Sequence, residues 1–162
     1  MSGNGYIVAL RAEIEKSLDV LAGIEEYYDQ YTADHIDEQE PTRENRIVIA
    51  EILTNYYTCL ETVFLRISQF FENHLSNDRW HQDLLDKMTL SIEKTRPRVL
   101  SDETRADLRE LMRFRHFKRY YLEFDYDWDK LQFLRRKLEH ARPRVREELE
   151  RFDAALREAE GS

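Results

Sequence analysis

Between residues 113 and 121 the chain reads Arg113-Phe114-Arg115-His116-Phe117-Lys118-Arg119-Tyr120-Tyr121. Five cationic or titratable side chains stand among four aromatics, inside what the flanking residues make a single helix. Cations interleaved with rings suit an anion carried next to a planar group, and phosphate is the commonest biological anion. The cluster stands out because the chain as a whole is acidic, with 25 Lys and Arg against 33 Asp and Glu and a formal net charge of -8. Wound at about 100° per residue, Arg109, Arg113, His116 and Tyr120 fall on one side of this helix. Leu111, Phe114, Phe117, Tyr121 and Leu122 fall on the other, the expected core face. Arg115 and Arg119 lie at the margin. Guanidiniums this close repel and need an anion, nucleic acid or neighbouring carboxylates between them. A solvated or salt-bridged helix face is therefore the competing reading, and an isolated histidine such as His116 is more often structural than catalytic.

Other chemistries lack their residues. No Gly-rich phosphate loop occurs, and no Glu-x-x-His pair of a di-iron bundle. Asp78-Arg79-Trp80-His81 has ligand-like spacing but no second motif to complete a site, so neither metal nor cofactor is expected. The single cysteine, Cys59, excludes an intrachain disulfide and reads as a buried small hydrophobe. No apolar run approaches the ~20 residues of a membrane span. The N-terminus carries no signal-peptide pattern, so a soluble, cytoplasmic protein is expected.

The elements that would hold the cluster are helices. With 41% hydrophobic and 36% charged residues and only 4 Gly and 3 Pro, the composition predicts an all-α protein, and the stretches between turn signals read as about five helices. One domain over residues 1–162 is expected, with a charged C-terminal segment that frays from about residue 143. Helix one is expected from Tyr6 to Tyr31, with a stripe of Val8, Leu10, Ile14, Leu18, Leu21, Ile24 and Tyr28. An acidic loop follows to Pro41, and Thr42 caps helix two, with Asn45 where a capping box would want Glu or Gln. Helix two is expected from Arg43 to Leu75. Its seam is Ile49, Leu53, Tyr56, Leu60, Val63, Ile67 and Phe70, with a second row of Ile52, Tyr57, Cys59, Phe64 and Phe71. Such a helix is central in a bundle or lies at an oligomer interface. Ser76-Asn77-Asp78 reads as a turn, Arg79 to Glu93 as helix three, and Ser101 as the cap of helix four, which fades around Phe124. Helix five starts near Trp128, and Pro143 is expected to break or kink it.

Three pieces of this chain resemble one family. They are Arg79-Trp80-His81-Gln82-Asp83-Leu84-Leu85-Asp86-Lys87-Met88, then Arg96-Pro97, then Leu111 to Leu131 around Phe114-Arg115-His116-Phe117. In this order and spacing they are similar to the HEPN superfamily, and within it to the HepT-like proteins, over nearly the full length. The resemblance implies an up-and-down helical bundle that forms a homodimer, usually with helix four facing its copy across the two-fold. It also implies a toxin-type ribonuclease, or the accessory subunit of a minimal nucleotidyltransferase in a toxin–antitoxin type system.

The family's active motif is an arginine, four to six further residues, a histidine, and often a tyrosine two residues on. The arginine stabilises phosphate and the histidine moves the proton of the 2′-hydroxyl, without a metal. The partner nucleotidyltransferase attaches AMP to the tyrosine. With Arg115 as the motif arginine, the histidine position holds Tyr120 and the tyrosine position holds Leu122. A phenol is a poor general base at neutral pH. The expectation is therefore a partner-binding subunit with weakened or absent ribonuclease activity. The alternative is an active ribonuclease with a shifted motif, Arg109 or Arg115 with His116. Arg113, Lys118, Arg119 and His81 are then candidates for RNA phosphate, and Tyr120, Tyr121 and Tyr126 for AMP attachment.

Overall fold

The computed structural model describes residues 3–36, 40–72, 80–120 and 122–161. Among these the chain forms five helices and no strand: α1 Gly3–His35, α2 Arg43–Phe71, α3 Trp80–Lys87, α4 Asp102–Lys118 and α5 Trp128–Glu160. None of them is long and apolar enough to cross a membrane. Helices α1, α2 and α5 are the long staves of the bundle, and α3 and α4 close it.

Helix α2 is packed against every other helix. Ile49, Leu53, Tyr56, Leu60, Val63 and Ile67 of its seam are all buried, as are Ile52, Tyr57 and Phe64 of its second row. The seam therefore packs within the protomer. At its start, Asn45 N–H donates to Thr42 Oγ1 and Thr42 N–H donates to Asn45 Oδ1, each at 3.1 Å. An asparagine thus completes the reciprocal cap that Glu or Gln usually makes. The expected continuation to Leu75 and the Ser76-Asn77-Asp78 turn lie outside the described residues.

Helix α1 is longer than its apolar stripe, running on to His35 where a loop was expected, and Val8 of that stripe is exposed. Helix α3 stops at Lys87, short of the expected Glu93, because an irregular turn organised by Arg96 takes over. Its guanidinium donates to the carbonyls of Lys87 at 2.9 Å, Leu90 at 3.0 Å and Pro97 at 3.2 Å, and to Glu72 at the end of α2. Buried carbonyls need donors, and one fully buried guanidinium supplies three of them here. The Arg96-Pro97 piece is thus architectural: it ties the α3–α4 connection to α2.

Helix α4 begins at the Ser101 cap, whose hydroxyl accepts from the Thr104 N–H at 3.2 Å. Glu148 of α5 accepts from the Ser101 N–H and from the Thr104 hydroxyl, and so fixes this end of α4 on α5. One turn further on, the buried Asp107 gathers two cationic side chains of α5, Arg144 and Lys137, and the His140 ring. Arg144 Nη2 and His140 Nδ1 are each 2.6 Å from its Oδ2, and Lys137 Nζ is 3.7 Å from Oδ1.

Helix α4 ends at Lys118, and the chain turns away with Phe124 at φ 56°, a left-handed conformation rare for an aromatic. The expected core face is corrected accordingly. Leu111 and Phe114 are buried, but Phe117 is 57% and Leu122 82% exposed, and Tyr121 lies outside the described residues. Burial stops one turn before the helix does. Helix α5 runs through Pro143 without a break. The lost N–H is tolerated because Leu138, Ala141 and Val145 on either side of it are buried. Nor does the segment beyond it fray: Leu149, Phe152 and Leu156 are buried, and Asp153 and Glu160 bind Arg11 of α1 at 3.1 Å.

Replacing Asp107 with Ala leaves Arg144 and Lys137 without this carboxylate and is expected to lower the unfolding free energy by about 2–4 kcal/mol. Asp107→Asn keeps an acceptor and is expected to cost roughly half of that. Both are read as a lower denaturant midpoint at unchanged m-value.

Candidate functional site

The basic cluster occupies the C-terminal half of α4 where that helix crosses α2. Helix α2 meets it with a cradle built at i, i+1 and i+4 spacing, which places Tyr57, Thr58 and Glu61 on one side of the helix. Arg115 Nη2 donates to Glu61 Oε1 at 2.6 Å, and Nη1 donates to Thr58 Oγ1 at 3.3 Å. The guanidinium also lies over the Tyr57 ring, 5.1 Å from its centre. The Glu61 side chain is only 8% exposed. Burial raises the proton affinity of the Tyr57 phenol, and the Glu61 charge beside it adds to the effect.

The other predicted site residues go to separate partners. Arg109 binds Asp86 at the end of α3, at 2.9 Å. Arg113 reaches Glu110 within its own helix at 3.4 Å. Lys118 pairs with Glu51 of α2. His116 and Arg119 come together, with Arg119 Nη2 3.2 Å from His116 Nε2. The same Nη2 donates to the Tyr120 hydroxyl at 3.1 Å, and the guanidinium lies 5.1 Å from the centre of that ring. Tyr120 is 64% exposed. Among the described residues, Arg119 is the arginine of this cluster that has no carboxylate partner.

Arg109 and His116, the shifted motif, make no hydrogen bond to each other, and two helical turns separate them. Of the tyrosines, Tyr120 is exposed, Tyr126 is buried against Phe114, and Tyr121 lies outside the described residues. The His81 side chain also lies outside them. No group of three or more His, Cys, Asp or Glu among the described residues is arranged to hold a metal.

The pieces missed in the sequence are Glu61, Glu51, Thr58 and Tyr57. Their signal was present in part, as polar residues interrupting an otherwise apolar helix. A carboxylate at a buried position of a central helix needs a cation opposite it.

Alongside the cluster runs an apolar furrow of about 640 Å³ between α1 and α2, lined by Leu10, Ile14, Val20, Ile24, Cys59 and Val63. A second hollow of about 530 Å³ continues it and shares Val20, Ile24 and Asn55. The two features are contiguous, since Thr58 lines the furrow and accepts from Arg115, while Glu51 lines the second hollow and holds Lys118.

HepT-like proteins match the chain over residues 48–156, from α2 through most of α5. The chain belongs to the HepT-like family of the HEPN superfamily. No curated protein and no solved structure matches it. The match spans the cradle on α2, the Arg96 turn and the whole of α4, so the site described here lies within the HepT-like region.

Cys59 in the furrow is half-buried rather than fully enclosed, and burial pushes its thiol pKa up to about 11 from an ordinary value of 9.0. At pH 8 its thiolate, and hence its alkylation rate, is expected to be down by about 100-fold against a free cysteine, read by timed iodoacetamide labelling. The folded thiol holds its proton more tightly than the unfolded one. Its contribution to stability is therefore complete below pH 9 and is lost as pH rises through about 11.

Proposed function

We propose that this HepT-like protein is the partner-binding subunit of a nucleotidyltransferase-linked toxin–antitoxin type system, with ribonuclease activity weakened or absent. The observation that carries this reading is the exposed Tyr120, five residues after Arg115, at the position of the family's histidine. General acid–base catalysis contributes roughly 10²–10⁴-fold, and a phenol held by Arg119 does not supply it at neutral pH. The arginine that would stabilise phosphate is itself held by a carboxylate.

What survives is recognition. Arg119 and His116, flanked by the exposed rings of Phe117 and Tyr120, form a surface suited to a nucleotide, with the guanidinium for phosphate and the rings for a base. Tyr120, exposed on this surface, is the acceptor a nucleotidyltransferase could modify. The apolar furrow contiguous with the cluster supports a protein partner or a second copy on the same face, consistent with a homodimer.

The second reading, a ribonuclease using His116, has the His116–Arg119 contact in its favour. Induction of the chain alone in a bacterial host separates the two. Normal growth and intact RNA are expected from the wild type, together with co-purification of a co-expressed minimal nucleotidyltransferase. Growth arrest with RNA cleavage that His116→Ala abolishes would establish the ribonuclease instead.

A further inference from the structure

We infer that Glu61 is a built-in anion that masks a phosphate subsite at Arg115. The inference rests on reading the α4 surface as one that meets RNA.

Three observations carry it. First, the carboxylate occupies the place a phosphate would take: its Oε1 lies 2.6 Å from Nη2, while Thr58 and the Tyr57 ring hold the guanidinium from the remaining sides. Carboxylate and phosphate offer the same acceptor geometry to a guanidinium, so one substitutes for the other. Second, the pair is not needed for packing. An ion pair in a helical core gains little over apolar residues of the same size, since both charges lose water. Neighbours of Glu61 such as Leu60, Val63 and Phe64 show that this stretch of α2 packs well with apolar side chains. Third, the mask is selective. Arg119, one turn further along the same helix, has its contacts with His116 and Tyr120 and no carboxylate among the described residues.

The consequence is a competition. A phosphate of RNA arrives from solution, whereas Glu61 is tethered beside Arg115 and competes at a high effective concentration. The resting protein therefore binds single-stranded RNA through Arg119 and its rings alone, and weakly. Rotation of the Arg115 side chain away from Glu61, or neutralisation of that carboxylate, adds a second phosphate contact next to the first. Lys118 and Glu51 repeat the arrangement, but Glu51 is largely exposed, so water already competes for that pair.

The test is fluorescence anisotropy with a labelled mixed-sequence single-stranded RNA, titrated over a range of salt. Glu61→Gln is expected to bind about five- to tenfold tighter, and its salt slope to steepen by about 0.7, the value of one added phosphate contact on a single strand. Glu61→Asp keeps the charge but retracts it, and is expected to show a smaller gain. It decides the matter if circular dichroism shows Glu61→Gln to be misfolded. Adding Arg115→Gln to Glu61→Gln should return affinity and slope to wild-type values.

Unchanged or weaker binding by Glu61→Gln, a gain that persists without Arg115, or an equal gain from Glu51→Gln would each overturn the mask. Such a result beside intact nucleotidyltransferase capture sinks the mask and leaves the parent reading standing. Absence of RNA binding by every variant removes the RNA reading as well.

Discussion

The central place of α2, packed against all four other helices, is the constraint from which the rest of this molecule follows. Helix α2 is covered by α1, α3, α4 and α5 except along one stripe, Glu51, Asn55, Thr58, Thr62, Arg66 and Gln69, that stays exposed. A carboxylate on its covered side must be answered by a cation of a neighbouring element. Glu61 is answered by Arg115 of α4, and Glu72, at the C-terminal cap of α2, by Arg96 of the α3–α4 turn. These two pairs lie about three turns apart along α2. The buried Leu108, Leu111 and Phe114 of α4 supply the apolar packing that seats that helix.

Sequence periodicity served best where packing is most regular. The four-and-three spacing of Ile49, Leu53, Tyr56, Leu60, Val63 and Ile67 marks α2 because each of those side chains is enclosed. Caps at Thr42 and Ser101 were legible for a local reason, since the side chain and the backbone N–H it accepts from lie three residues apart. The end of α4 was not legible. A helical projection continues indefinitely, whereas the helix stops at Lys118, and Phe117 and Leu122 then face water. Pro143 failed as a breaker because tertiary contacts on both sides outweigh one missing hydrogen bond.

The candidate site was half legible. The basic stripe and its need for counter-charges follow from composition and spacing alone, but the identity of the counter-charges does not. Glu61 and Glu51 lie 54 and 67 residues away from their cations, on a helix whose other features all speak of core. Asp86, Glu110, Glu61 and Glu51 between them take Arg109, Arg113, Arg115 and Lys118. The bland reading of the stripe, a salt-bridged helix face, is therefore correct for most of it. What it leaves out is Arg119 with His116 and Tyr120, the part that the bundle does not neutralise.

That remainder bears on how an acidic protein could meet RNA at all. A net charge of -8 repels phosphate at long range, yet at physiological salt fields fade over about 8 Å. Carboxylates on the far staves of the bundle are screened at the end of α4, and those within reach are not. The sign of the local field is then set by a few neighbours: Arg115, Lys118 and Arg119 against Glu61 and Glu51. With both α2 carboxylates engaged, a single uncompensated guanidinium remains, enough to orient a nucleotide but not to hold a strand against salt. Shifting one of these pairs changes the number of available phosphate contacts while leaving the net charge of the protein almost unchanged. On the proposed reading, the strength of RNA binding on this face would be controlled by the α2 carboxylates rather than by the net charge of the protein.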